Sequence, residues 1–181
     1  MNLIDKNDSA IVMVDVQGKL VNVMHENDEL IKNLQRFVRG AQVLEVPIIW
    51  LTQYPQGLGP IDSRLTEYVP DNEQIEKLVF SACQSGNFMK KLQSFNCKHI
   101  FVAGIEAHIC VYQTVVDLLE ENYHIEVLAD GISSRTALNK QVAIDKMTSL
   151  GAKVTSVEMA LFEWLKSAEH KSFRDISSII K

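Results

Sequence analysis

The stretch AGIEAHICVYQT, residues 103–114, closes an apolar run with a glycine and, six residues later, carries Cys110. Ile109, Tyr112, Val116 and Leu119 recur at helical spacing, which places this cysteine in a first helical turn. There the helix dipole and the free backbone N–H groups favour thiolate over thiol. The same N–H groups suit an oxyanion formed by attack on a carbonyl. A free cysteine on an apolar stripe is equally a packed core residue, so both readings stand. Asp15 directly follows the apolar run AIVMV. A carboxylate there is either a base in a cleft, needing a nearby cation to set its protonation, or a cap for the next turn. Lys77, the basic residue of EKLVF, is such a cation or a surface lysine with its stem laid on apolar neighbours.

Other polar residues point to less. His25, His99, His108, His124 and His170 form no i, i+4 pair and no carboxylate cluster at metal spacing. His108 lies nearest Cys110 and is either its partner or a solvent-facing turn residue. GLGP at 57–60 lacks the G-x-G-x-x-G frame, and no nucleotide motif occurs elsewhere. Neither a cofactor nor a metal is expected.

Six β-rich runs must position these groups: AIVMVD (10–15), VPIIWLT (46–52), KLVF (77–80), HIFVAGI (99–105), HIEVLAD (124–130) and AKVTSV (152–157). Several lack polar alternation, as strands covered on both faces do. Between them lie helical stripes. One is Leu30, Ile31, Leu34, Phe37, Val38, Ala41 and Leu44 behind an Asn27-Asp28 start; another follows Ser85 through Phe88, Leu92 and Phe95. A third, Ala143, Met147 and Leu150, stops at Gly151. Alternation of strand and helix predicts a three-layer α/β/α, doubly wound fold, with a mainly parallel six-stranded sheet flanked by helices, over residues 1–181 as one domain. Ligands bind beyond the strands' C-terminal ends in such folds, which draws attention to Asp15, Thr52, Gln53, Glu106 and Asp130. The long irregular stretch 53–74 follows the second strand and is expected to be functional or mobile.

Composition narrows the function classes. A formal charge of -5, with no basic run longer than Lys90-Lys91, gives no pull toward nucleic acid or anionic lipid, so small molecules or proteins are the expected partners. The N-terminus has no signal-like apolar stretch and no segment approaches a membrane span, so a cytoplasmic protein is expected. Cys83, Cys97 and Cys110 are too few and too scattered for a disulfide frame. The C-terminal SFRDISSIIK offers Phe173, Ile176, Ile179 and Ile180 as an apolar edge for a homo-oligomer or another partner.

DVQ at 15–17, K-x-x-x-S-A at 77–82 and GIEAHICV at 104–111, in that order on an α/β chain, resemble the isochorismatase-like hydrolases. ADGISSR at 129–135, GAKVTSVE at 151–158 and FRDISSIIK at 173–181 are similar to the single-domain branch, the isochorismatase domain-containing proteins. The resemblance implies an Asp15, Lys77, Cys110 triad and a cis peptide between Ile105 and Glu106. That bond would turn the Glu106 N–H toward the same point as the Cys110 N–H, forming an oxyanion hole. It implies hydrolysis of an amide, imide or ureido C–N bond through a Cys110 thioester. Cys110 argues against the enol-ether hydrolysis of the family name. TQYPQGLGP after the second strand lacks the metal ligands of the nicotinamidase branch. Gln17, Gln53 and Tyr54 are the candidate pocket residues. Two other function classes remain open: a catalytically weak binding protein, and a redox-sensing thiol in which Cys83 approaches Cys110.

Overall fold

A computed structural model of the chain describes residues 3–70 and 73–181. Strand β1 (Ser9–Val14) is followed by the short helix α1 (Gly18–Val21) and the long α2 (Asn27–Leu44), then by β2 (Ile48–Gln53) and a single turn, α3 (Pro55–Leu58). Next come β3 (Gln74–Lys77), α4 (Gly86–Ser94) and β4 (His99–Ile105), which leads into a π-helical turn (Ala107–Val111) and α5 (Tyr112–Glu120). The chain ends with β5 (His124–Ser133), α6 (Ala137–Ser149), β6 (Lys153–Thr155), α7 (Val157–Leu165) and α8 (Phe173–Ile180).

All six strands pair in parallel, in the order β3-β2-β1-β4-β5-β6, with helices on both faces. Winding runs outward from β1 to β3, crosses back to β4 on the other side of β1, and runs outward again. The ends of β1 and β4 therefore flank the switch point where doubly wound sheets open a crevice.

Every residue of β1 is buried, because its alternate side chains enter two separate cores. Ile11 and Met13 join Leu34, Phe37, Phe101 and Trp164 under α2, α7 and α8. Val12 and Val14 join Leu51, Phe88, Val102, Cys110 and Val115 under α4, α5 and α6. In the first core the Trp164 ring meets Phe101 edge-on at 4.6 Å and stacks on Phe37 at 5.7 Å. Such aromatic pairs contribute about 0.5–1.5 kcal/mol each beyond simple burial.

At the switch point the backbones of β1 and β4 leave no room for a side chain between them. Gly104 in β4 has φ +110°, and a Cβ there would lie 2.0 Å from the Val14 carbonyl oxygen. Only glycine permits that approach, which sets the ends of β1 and β4 side by side.

Several expectations are corrected. The third strand is QIEK, and Leu78, Val79 and Phe80 of KLVF follow it as bends, with Leu78 and Phe80 exposed. β3 is an edge strand, so its outward Gln74 and Glu76 hide it from a search for apolar runs. β5 continues to Ser133, so Asp130 lies within it, accepting the Val157 N–H at the start of α7. The sixth strand is only Lys153–Thr155, since Ser156 and Val157 begin α7. Cys110 shares its buried stripe with Val111, Thr114, Val115 and Leu118, while Val116 and Leu119 are only half-buried. Ile176 and Ile179 of α8 are buried in the first core and Phe173 meets Phe162 edge-on, so this apolar edge is filled by the chain's own helices. Within the 53–74 connection, Ile61, Asp62 and Leu65 are buried and Ile61 bridges to Gln17; residues 71–72 lie outside the described residues.

Candidate active site

Asp15 is the first residue beyond β1, where the chain turns with φ 50° and the side chain is fully buried. Lys77 ends β3, two strands away, and its side chain has no exposed surface. Its length spans β2: Lys77 Nζ donates to Asp15 Oδ2 at 2.6 Å, to Gln53 Oε1 at 2.8 Å and to the Val79 carbonyl at 3.3 Å. Its donors are thus directed at three acceptors, the condition under which a buried ammonium is tolerated. Asp15 Oδ1 is buried and has no hydrogen-bond partner among the described residues.

Cys110 approaches from the other side of the switch point, inside the π-helical turn that joins β4 to α5. Such wide turns recur at functional sites. Here the Val111 N–H reaches back to the Glu106 carbonyl at 3.2 Å. The Ile105–Glu106 peptide is cis. Cys110 is 6% exposed, and its thiol faces the Asp15 carboxylate closely enough that each group perturbs the other's protonation.

Burial dominates the electrostatics. It pushes the Cys110 thiol up to about 12; the Asp15 carboxylate adds to that rise and the Lys77 ammonium opposes it. The expectation that a helix start lowers this thiol is therefore reversed in the resting site. Burial likewise pushes the Asp15 carboxyl up, against the pull of Lys77. The result is a neutral thiol beside a carboxylate made more basic than usual, with a fixed cation behind it.

The other candidates divide by where their polar atoms go. Gln17 is fully buried, and its amide donates to the carbonyls of Gln53 (3.0 Å) and Gly59 (2.6 Å) while accepting the Gln53 N–H (2.7 Å). It laces the end of β2 to the following loop. Gln53 braces Lys77 and donates to the Leu78 carbonyl at 2.9 Å. Tyr54, half-exposed with φ 38°, walls a cavity of about 360 Å³ together with Pro55, Gln56, Glu76, Lys77 and Leu78. His108 Nδ1 lies 3.0 Å from Ser134 Oγ, its partner instead of Cys110.

Four further residues, Ser81, Thr114, Asp117 and Arg135, had no assigned role in the sequence. Ser81 Oγ donates to Asp117 Oδ2 and the Ala82 N–H donates to Thr114 Oγ1, tying the segment after Lys77 onto the helix that follows Cys110. Arg135 grips the Glu106 carboxylate through Nε (3.0 Å) and Nη2 (3.1 Å). Asp117 and Thr114 carry no local sequence signal; Arg135 stood inside ADGISSR without a partner. Among the described residues no group of three or more His, Cys, Asp or Glu side chains is placed to hold a metal ion. No described helix is long and apolar enough to cross a membrane.

The sequence and its α/β architecture match known proteins over nearly the whole chain. The isochorismatase domain model matches residues 9–159. Isochorismatase family protein 1B of Dictyostelium discoideum is 33% identical over 178 residues, 96% of this chain and 86% of that protein. A MAR1 ribonuclease structure from Caenorhabditis elegans superposes with TM-score 0.91 at 31% identity, covering 98% of this chain and 91% of that one. YcaC from Pseudomonas aeruginosa, with hexane-2,5-diol and covalent acrylamide, also gives TM-score 0.91, covering 97% of this chain and 90% of its own; at 24% identity it speaks for the fold alone. The chain belongs to the isochorismatase family.

Proposed function

We propose that this chain hydrolyses a C–N bond of a small amide, imide or ureido compound, with Cys110 as nucleophile, Asp15 as general base and acid, and Lys77 as the cation that holds Asp15 ionised. The observation that carries this reading is the unpartnered, buried Asp15 Oδ1 beside a neutral Cys110 thiol, with Oδ2 already held by Lys77. Because the thiol is protonated at rest, the proton leaves as the nucleophile attacks. Cys110 Sγ forms a bond to the carbonyl carbon while Asp15 takes the thiol proton. The carbonyl π pair moves to oxygen, where the backbone N–H groups of Glu106 and Cys110 are our proposed oxyanion hole. Collapse breaks the C–N bond, and Asp15 returns the proton to the departing nitrogen. Water then gives a proton to Asp15 as it attacks the thioester. A second collapse releases the acid and restores the thiol.

Tyr54 and Gln53 are the side chains we place at the pocket; Gln17 enters as the lace that positions Gln53. No cofactor is part of this scheme, and we place the protein among cytoplasmic enzymes. The redox reading loses ground, because burial also pushes Cys83 up to about 12 and a protonated thiol oxidises slowly. The binding reading loses the α8 edge on which it rested. We retain a homo-oligomer on different ground: Tyr54, Leu78 and Phe80 are large, exposed and grouped around the end of edge strand β3. Leu78→Glu with Phe80→Glu should lower the mass seen by light scattering, and an unchanged mass removes this interface.

The deciding experiment is a screen of primary amides, ureides and cyclic imides for ammonia release or ring opening, run on wild type, Cys110→Ala and Asp15→Asn. Loss of turnover by at least about 10⁴-fold in Cys110→Ala is expected, and turnover that survives the substitution ends the proposal. The ribonuclease relative makes single-stranded RNA the second class to include. A net charge of -5 argues against it, and Cys110-independent RNA cleavage would replace the amide reading.

A further inference from the structure

We infer that Arg135 is a positioning residue acting on the nucleophile turn through Glu106: its two-point grip holds and balances the one carboxylate that this turn itself carries. This rests on the hydrolase reading above and extends it to a residue outside the triad.

The geometry is specific. Glu106 is the residue between the last residue of β4 and the π-helical turn, so its backbone fixes where that turn starts. Its carbonyl accepts both the Ile109 N–H at 3.0 Å and the Val111 N–H at 3.2 Å, closing the turn around Cys110. Its side chain is 7% exposed, a position where a lone carboxylate is costly. Arg135, just beyond β5, supplies the compensation from a neighbouring strand end through two parallel hydrogen bonds. Lysine cannot reproduce that fork. The flanks are also fixed: Ser134 Oγ meets His108 Nδ1, and the Ser134 carbonyl accepts the His25 N–H. The end of β5 is thus a rigid post to which the nucleophile turn is tied at two places.

The charge has a chemical consequence. The acidic and basic groups acting on Cys110 are Asp15 at the end of β1, Lys77 at the end of β3 and Glu106 on its own turn, and Glu106 disfavours the thiolate. Arg135 bonds to no member of the triad yet offsets Glu106, one of the two anionic groups acting on Cys110.

The test needs no substrate. Second-order rates of Cys110 alkylation by iodoacetamide, mapped by peptide mass spectrometry from pH 8 to 11, are compared for wild type, Arg135→Gln, Arg135→Lys and the double variant Glu106→Gln/Arg135→Gln. Arg135→Gln should displace the log rate against pH toward higher pH, slowing alkylation at fixed pH by about three- to tenfold, roughly 0.5 to 1 pK unit. Arg135→Lys should restore part of the loss, and the double variant should recover the wild-type position because the unbalanced charge is gone. An unshifted Arg135→Gln profile overturns the inference. So does a double variant as slow as Arg135→Gln, since that reports a merely loosened turn. If Asp15→Asn leaves the Cys110 rate unaltered, the triad reading fails instead, and the two failures are separate. Circular dichroism of each variant excludes unfolding as the cause.

Discussion

Lys77 Nζ lies 2.6 Å from Asp15 Oδ2, and neither side chain has any exposed surface. The two residues come from strands separated by β2, so the pair bridges the sheet beneath the crevice. A buried ion pair is weak evidence of stabilisation, because desolvation offsets the attraction. At the sheet's switch point it presents a carboxylate with one oxygen held by Lys77 and the other without a hydrogen-bond partner among the described residues, the arrangement on which the proposed chemistry draws.

Breaking this pair from one side should be far worse than removing both charges. Lys77→Met leaves Asp15 buried without its cation and should cost about 3–5 kcal/mol, whereas Lys77→Met with Asp15→Asn should recover at least half of that loss. Urea denaturation of the three proteins measures it. Equal destabilisation of single and double variants would show that packing around Lys77, not charge, governs the site.

Alkaline titration gives a prediction of definite sign. Cys110 is raised from 9.0 to about 12, so its contribution to stability is fully present below pH 9 and is lost as pH climbs toward 12. Wild type should therefore lose about 3 to 4 kcal/mol between these limits from this group, with the half-buried Cys83 adding a smaller loss because solvent screens it. Cys110→Ala should show a correspondingly shallower decline in denaturation midpoints over that window. A parallel decline in both proteins would contradict the burial of the thiol.

Gly104→Ala should be among the most damaging conservative substitutions in the chain. The new Cβ would meet the Val14 carbonyl at 2.0 Å in a backbone conformation that side chains rarely adopt. We expect a loss of about 3 kcal/mol or more, with Cys110 alkylation altered because β1 and β4 must separate at the site. Gly151→Ala is the internal control: φ is equally positive but nothing lies within 4 Å, so only local strain is expected.

What the sequence made legible follows from which forces are local. Strands covered on both faces announce themselves as apolar runs, so β1, β2, β4 and β5 were found within a few residues of their true bounds. β3 was displaced because an edge strand exposes polar letters, and the apolar LVF after it belongs to the surface at the site's mouth. The stripe of α8 was read correctly but not its partner, since nothing local distinguishes a face meant for another subunit from one meant for α2 and α7. The thiol's protonation went the same way. A helix start is a local feature that favours thiolate, while the burial that outweighs it is set by the whole fold. The Glu106–Arg135 grip joins residues 29 apart and required the strands to be placed first.

Gln17 offers the sharpest separation of scaffold from pocket. Its amide satisfies the Gln53 N–H and the carbonyls of Gln53 and Gly59, so truncation strands three backbone groups at the edge of the site. Leaving such groups unpaired costs about 1–3 kcal/mol apiece, less where water enters. Gln17→Ala should therefore destabilise the protein by about 2–4 kcal/mol and weaken the hold of Gln53 on Lys77. Gln17→Glu keeps the shape and the acceptor but sets a buried carboxylate against the two carbonyls, and should cost more than Gln17→Ala. A residue that touched substrate directly would instead raise KM while leaving the denaturation midpoint unchanged. Measuring midpoint and KM on the same two variants decides between these roles, because the lace predicts a lowered midpoint in the absence of any substrate.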